Sequence, residues 1–157
     1  MLIKGILNGD LINYKKPAMV IEFPFCDFKC ERECGEQVCQ NSALATAANI
    51  DLSTNKIIWK YFKDEIAEAI ILQGLEPFDS WEDVKDLIST FRKYTADDIV
   101  IYTGYKEDEC EDKISYLKQF NNIIIKFGRY LPHQPIHYDN ILGVTLASPN
   151  QYAKKIS

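Results

Sequence analysis

Residues 19–42 read MVIEFPFCDFKCERECGEQVCQNS. The apolar run Met19 to Phe23 is rich in β-branched residues and reads as a buried strand. It leads directly into a polar loop that holds Cys26, Cys30, Cys34 and Cys39. Between these thiols lie Asp27, Lys29, Glu31, Arg32, Glu33, Glu36 and Gln37, charged and polar side chains that forbid burial of the segment as core. Four sulfurs on a polar loop imply either a soft metal centre or a disulfide knot.

Composition bears on that choice. A chain of 157 residues is large enough to bury a core without disulfide help and reads as one domain, residues 1–157. Hydrophobic residues make up 46% and charged residues 26%, the balance of a soluble globular protein. The net charge of −5, with no Lys/Arg cluster, argues against a nucleic-acid surface. No apolar stretch approaches the roughly 20 residues that span a bilayer, so no membrane partner is expected. The start, MLIKGILNGDLINYKK, lacks a signal peptide's apolar region, and a cytoplasmic location follows as an expectation. Thiols are kept reduced there, and a total of five cysteines fits a fully paired disulfide framework poorly. Metal is the expected occupant.

Further runs alternate with helical patterns. Strands are expected at Ala69–Gln73, Ile99–Tyr102 and Asn122–Lys126, with a weaker one at Gly143–Leu146. Apolar residues at Trp81, Val84, Leu87, Ile88 and Phe91 give Ser80–Tyr94 a helical period, with Ser80 as N-cap. Glu107–Phe120 is helical as well, with Ile114, Leu117 and Phe120 on one side. Alternation of this kind predicts right-handed βαβ units and a mostly parallel sheet, hence an α/β fold. In such sheets the loops at the carboxyl ends of the strands form the site. The cysteine loop, Gly74-Leu75-Glu76-Pro77 and Thr103-Gly104-Tyr105 all follow strands and should meet on one rim.

A cubane [4Fe–4S] cluster has four irons, and three protein thiolates would leave one of them open for chemistry. A zinc site would more usually show paired Cys-x-x-Cys knuckles, which this chain lacks, although four cysteines remain enough to hold a zinc ion among them. Cys110, on the expected polar side of its helix, reads as a structural or surface residue.

Cys26-x-x-x-Cys30, a later Cys39-Gln40-Asn41 and Gly74-Leu75-Glu76-Pro77 together resemble the radical S-adenosylmethionine (SAM) enzymes. Ile101-Tyr102-Thr103-Gly104-Tyr105, Phe127-Gly128-Arg129-Tyr130 and Leu146-Ala147-Ser148-Pro149-Asn150-Gln151 narrow the resemblance. They are similar in order to segments of the activating proteins of anaerobic ribonucleoside-triphosphate reductase. The family's third cysteine follows more closely than here; Asn41 favours Cys39 over Cys34 as its counterpart, with eight residues intervening after Cys30. Leu75 stands where the family has a second glycine, and Tyr14 to Ala18 replaces an Asp-Gly-Pro-Gly segment.

The resemblance implies a partial (β/α) barrel of the radical SAM type as a single domain. It implies that Cys26, Cys30 and Cys39 ligate three irons of a [4Fe–4S] cluster, with Cys34 as the alternative third ligand. The fourth iron would bind SAM, and reductive cleavage would release a 5′-deoxyadenosyl radical. Gly74, Leu75, Glu76 and Pro77 would hold the methionine amino group, Glu76 as an acceptor. Phe28 would lie against adenine, Asn41 would approach the ligand or cap a turn, and Thr103, Gly104 and Tyr105 would line the rim. No catalytic residue beyond the cluster is implied. The implied partner is a glycyl radical enzyme, anaerobic ribonucleoside-triphosphate reductase, with flavodoxin or ferredoxin as electron donor. Other expectations are a small radical SAM enzyme acting on a small molecule, or a non-catalytic zinc or iron–sulfur module. Plainer roles are expected elsewhere: loop residues at His133 and His137, ordering of the C-terminal segment by Asn150 and Gln151, and a solvated helix face from Lys106 to Lys113.

Overall fold

In the computed structural model, which describes residues 1–157, the expected strands all form, though one joins a different sheet. The chain runs β1 (Leu2–Ile3), β2 (Gly5–Asp10), β3 (Ala18–Phe23), α1 (Lys29–Cys34), α2 (Ser42–Thr46), β4 (Ile50–Asp51), α3 (Thr54–Lys63) and β5 (Ala69–Gly74). A 3-10 turn at Pro77–Ser80 follows, then α4 (Trp81–Phe91), β6 (Asp98–Tyr102), a second 3-10 turn at Glu107–Glu109, and α5 (Glu111–Leu117). The chain closes with β7 (Ile123–Phe127), β8 (His137–Asp139), β9 (Val144–Leu146) and β10 (Tyr152–Lys155).

The central sheet has six strands in the order β10-β7-β6-β5-β3-β2. Its inner four are parallel, with registers such as Val20↔Ile71, Ile71↔Val100 and Val100↔Ile124. Both edges are antiparallel: β2 on β3 and β10 on β7. This is a mixed α/β domain with a mostly parallel sheet. The antiparallel edges escaped the sequence reading because β2 (GILNGD) and β10 (YAKK) are short and half-exposed, without a buried run. The weak strand at Gly143–Leu146 does form as β9, but it pairs with β8 in a separate hairpin. His137 therefore opens a strand, whereas His133 lies in a loop.

Strand alternation divides the core in two. Met19, Ile21, Ile70, Leu72, Ile99, Ile101, Ile123 and Ile125 pack under α3, α4 and α5, against Ile57, Tyr61, Leu87, Phe91 and Leu117. Val20, Ile71, Val100 and Ile124 face the other way and are covered by Tyr14, Leu142 and Leu146. Helix α3, absent from the sequence reading, is capped by Ser53, whose side chain accepts from the Lys56 amide. Ser80 is not the cap it was expected to be. Glu76 caps the 3-10 turn that precedes α4 by accepting from the Phe78 amide, and the buried Ser80 hydroxyl has no partner. The expected helix from Glu107 is broken at Cys110, which is fully buried at the junction and not on a polar face. No helix is long and apolar enough to cross a membrane.

Candidate metal centre

Each inner strand ends its apolar run on a polar residue: Glu22 in β3, Gln73 in β5, Tyr102 in β6 and Lys126 in β7. Their registers, Glu22↔Gln73 and Tyr102↔Lys126, put them at one level on the face away from the helices. Above this level, at the carboxyl ends of the strands, opens a cavity of about 370 Å3. Cys26, Cys30, Cys39, Glu76, Thr103 and Arg129 are among its lining residues. The three loops expected to meet do meet.

All five cysteines are free. Cys26, Cys30 and Cys39 line the cavity, whereas Cys34 at the end of α1 does not, and its thiol points to the Glu31 and Glu36 carbonyls. The turn into α1 uses a left-handed Phe28 (φ 54°), which lets the Phe28 amide donate to the Cys26 sulfur at 3.2 Å. Phe28 itself does not line the main cavity but a second depression with Glu31 and Gln37, which meets the first at Cys39. Burial pushes the Cys26 thiol up to about 12, and burial likewise raises Cys30 and Cys39. Each is a neutral thiol until a metal displaces its proton, which makes metal binding proton-releasing.

The loop after β5 is locked to its neighbours. Gly74 takes φ 97°, and a Cβ there would lie 2.7 Å from the Phe23 amide nitrogen. The left-handed position is therefore Gly74, and Leu75 has an ordinary backbone, its amide donating to the Phe23 carbonyl. The Asn41 side-chain amide donates to the Gly74 carbonyl at 2.6 Å, which ties the cysteine loop to this turn. Glu76 is buried and accepts from the Phe78 amide (3.0 Å), the Thr103 hydroxyl (2.8 Å) and the Gly104 amide (2.8 Å). Burial nevertheless raises its carboxyl to about 7, and Asp79 adds to the rise. Tyr105, also on the rim, donates its hydroxyl to Asp79 at 2.7 Å. Pro77 is buried in the 3-10 turn and does not line the cavity.

The segment Lys106 to Lys113, expected as a solvated face, supplies a clasp. Glu109 takes two hydrogen bonds from Arg129 at 2.7 and 3.2 Å and one from Lys29 of α1 at 2.6 Å. Arg129, nearly buried, holds the Glu109 carboxyl down to about 2. The pairing of Arg129, Lys29 and Glu109 went unread in the sequence because it spans three distant segments. Asn150 and Gln151 do order the C-terminal segment: they donate to the Arg129 and Gly128 carbonyls.

Three free thiols line one cavity, a donor set that suits a metal–sulfur group; Cys26 also stands with Asp27 and Asp79, their ligand atoms within 4.8 Å of one another. A family model for a 4Fe-4S single cluster domain matches residues 19–141, most of the chain. The protein belongs to this 4Fe-4S single cluster domain family. The match spans the cysteine loop and the four parallel strands. An iron–sulfur cofactor is the occupant this donor set fits, ahead of zinc or a disulfide. No curated protein and no solved structure matches the chain.

Proposed function

We propose that the protein is a radical SAM activating enzyme. It cleaves SAM reductively and uses the 5′-deoxyadenosyl radical to make a glycyl radical on a partner enzyme, in the manner of the activases of anaerobic ribonucleoside-triphosphate reductase. The observation that carries the reading is the division of the cysteines. Cys26, Cys30 and Cys39 open on the cavity and Cys34 turns to backbone carbonyls outside it. Three ligands on a four-iron family cluster leave one iron free. When bound, the cluster would supply that iron as the attachment point for the amino and carboxylate groups of SAM, and the electron that breaks the sulfur–C5′ bond.

The chain's own residues bind, orient and exclude water. The Gly74 carbonyl and Glu76 Oε2 lie on the cavity wall, and Oε2 accepts only from Gly104, which leaves it a lone pair for an ammonium. An ammonium there would favour the ionised form of Glu76, which burial alone holds near neutral. Thr103, Gly104 and Tyr105 close the next stretch of rim. Beneath them Gln73, Tyr102 and Lys126 line the cavity, and the buried apolar layer of Val20, Ile71, Val100 and Ile124 lies below these. The four parallel strands with this concave-side cavity fit a partial radical SAM barrel, with the rim left for a partner's loop.

The partner is tested by mixing reduced, cluster-loaded protein and SAM with an anaerobic ribonucleotide reductase and recording the electron paramagnetic resonance spectrum. A glycyl-radical doublet is expected. SAM cleavage without that doublet on any glycyl radical enzyme would move the protein to the small-molecule branch of the same chemistry.

A further inference from the structure

Among the four polar residues that end the inner strands, only Lys126 carries a positive charge. It is 7% exposed and lines the cavity on β7. Its Nζ donates to the Gly128 carbonyl at 2.9 Å and lies 6.0 Å from the centre of the Tyr102 ring. An ammonium has three donors, and this one makes a single protein hydrogen bond. No carboxylate forms an ion pair with it, in contrast to Lys29 and Arg129 on the same cavity. The charge that acts on it from a distance is that of Glu76, whose oxygens are held by Phe78, Thr103 and Gly104. A buried cation with no partner is costly, and such a group persists where a ligand completes it.

Position adds the second argument. Cys26 and the Gly74 turn follow β3 and β5, whereas β7 lies three strand spacings from β3, roughly 14 Å away. Beside Lys126 stand Tyr102 and Gln151, the latter donating to the same Gly128 carbonyl, and neither is on the loop that holds the thiols. The cavity thus has a thiol end and a cationic end. We propose that Lys126 binds an anionic oxygen group, carboxylate or phosphate, of the substrate that enters this cavity beside SAM. The proposal rests on the reading above for SAM at the thiol end; the anion site itself stands on geometry. Two sources share this chemistry: an acidic side chain next to the target glycine of a partner loop, or a free small acid or phosphate ester.

The test uses anaerobic calorimetry on cluster-loaded wild type, Lys126→Met and Lys126→Arg, each saturated with SAM. The probes are inorganic phosphate, malonate and the blocked dipeptide acetyl-Gly-Asp-amide. At least one probe is expected to bind wild type and Lys126→Arg, and to weaken about tenfold or more in Lys126→Met, as the loss of a charge-assisted bond requires. Preference for the dipeptide assigns the anion to a loop, and preference for phosphate or malonate assigns it to a free ligand. Equal probe binding in wild type and Lys126→Met overturns the proposal. So does a Lys126→Met variant whose only defect is weaker SAM binding, because Lys126 would then serve SAM's own carboxylate. Should Lys126→Met fail to fold, wild type alone decides: the successful probe must shield Lys126 from acylation, read by mass spectrometry, while chloride at equal ionic strength does not. Probe binding without any binding of SAM would sink the radical SAM reading and leave the anion site standing.

Discussion

Cys34 and Cys39 are chemically alike and five residues apart, and only their surroundings separate them. Cys39 lines the cavity with Cys26 and Cys30, its amide held by the Glu31 carboxylate at 3.1 Å, while Cys34 faces carbonyl oxygens. Cys39→Ala is therefore expected to lose the cluster and Cys34→Ala to keep it, measured as iron and sulfide per chain after anaerobic reconstitution. Glu76 makes a different prediction. Its folded pKa, about 7, lies above the usual 4.5, so the native state holds the proton longer than the unfolded chain. Stability should fall as pH rises from 4.5 to 7 by about 3 kcal/mol and then level off. In Glu76→Gln that slope should vanish in denaturant titrations of the metal-free protein, and persistence of the same slope would contradict the assignment. The importance of Glu76 was legible in its place after a strand and before Pro77. Its three hydrogen bonds were not, because Thr103 and Gly104 are far along the chain. Leu75 stands where the resembling family has a second glycine, but the residue that needs a left-handed backbone is Gly74, one earlier.

Helix α1 is six residues long and buries none of them, so its own propensity cannot hold it over the cavity. The Lys29–Glu109–Arg129 clasp does so by joining α1 to the turn before α5 and to the segment after β7. Glu109, lowered from 4.5 to about 2, contributes stability that is present above 4.5 and is lost as pH falls toward 2. Glu109→Gln should flatten acid unfolding of the metal-free protein across that window. In the loaded protein it should speed iron loss to a chelator at neutral pH. At the same carboxyl end of β7, Gly128 has φ 94°, and a Cβ would lie 2.6 Å from the Asn150 carbonyl oxygen. Gly128→Ala is expected to destabilise by about 1–3 kcal/mol in urea titration, through the joint that brings β10 onto β7. The four parallel strands were legible because each is a run of β-branched residues. Helix α3 was missed because its apolar face, Ile57, Ile58 and Tyr61, is narrow and interrupted by exposed Trp59 and Phe62.

At the scale of the molecule, one sheet separates two tasks. The helix-covered face carries the larger core, and the opposite face carries a smaller apolar cluster whose strands end in the polar residues that border the cavity. Leu72→Ala, in the larger core, should cost about 2–5 kcal/mol whether or not metal is present. Removing the cluster should lower the melting temperature of the wild type, and the same treatment should leave that of Cys39→Ala unchanged, since a ligand bound only by the folded state stabilises it. An iron–sulfur cofactor was legible in the crowding of the thiols together with the strand-end loops; the cationic end of the cavity was not, because Lys126 looked like the polar end of a strand. The central claim is that Cys26, Cys30 and Cys39 make a site that cleaves SAM. It is tested most directly by reconstituting the protein anaerobically with iron and sulfide, reducing it, adding SAM and assaying 5′-deoxyadenosine by chromatography. The account expects 5′-deoxyadenosine and methionine in equal amounts from wild type and Cys34→Ala and none from Cys39→Ala; a fully loaded, reduced wild-type protein that leaves SAM intact would contradict it.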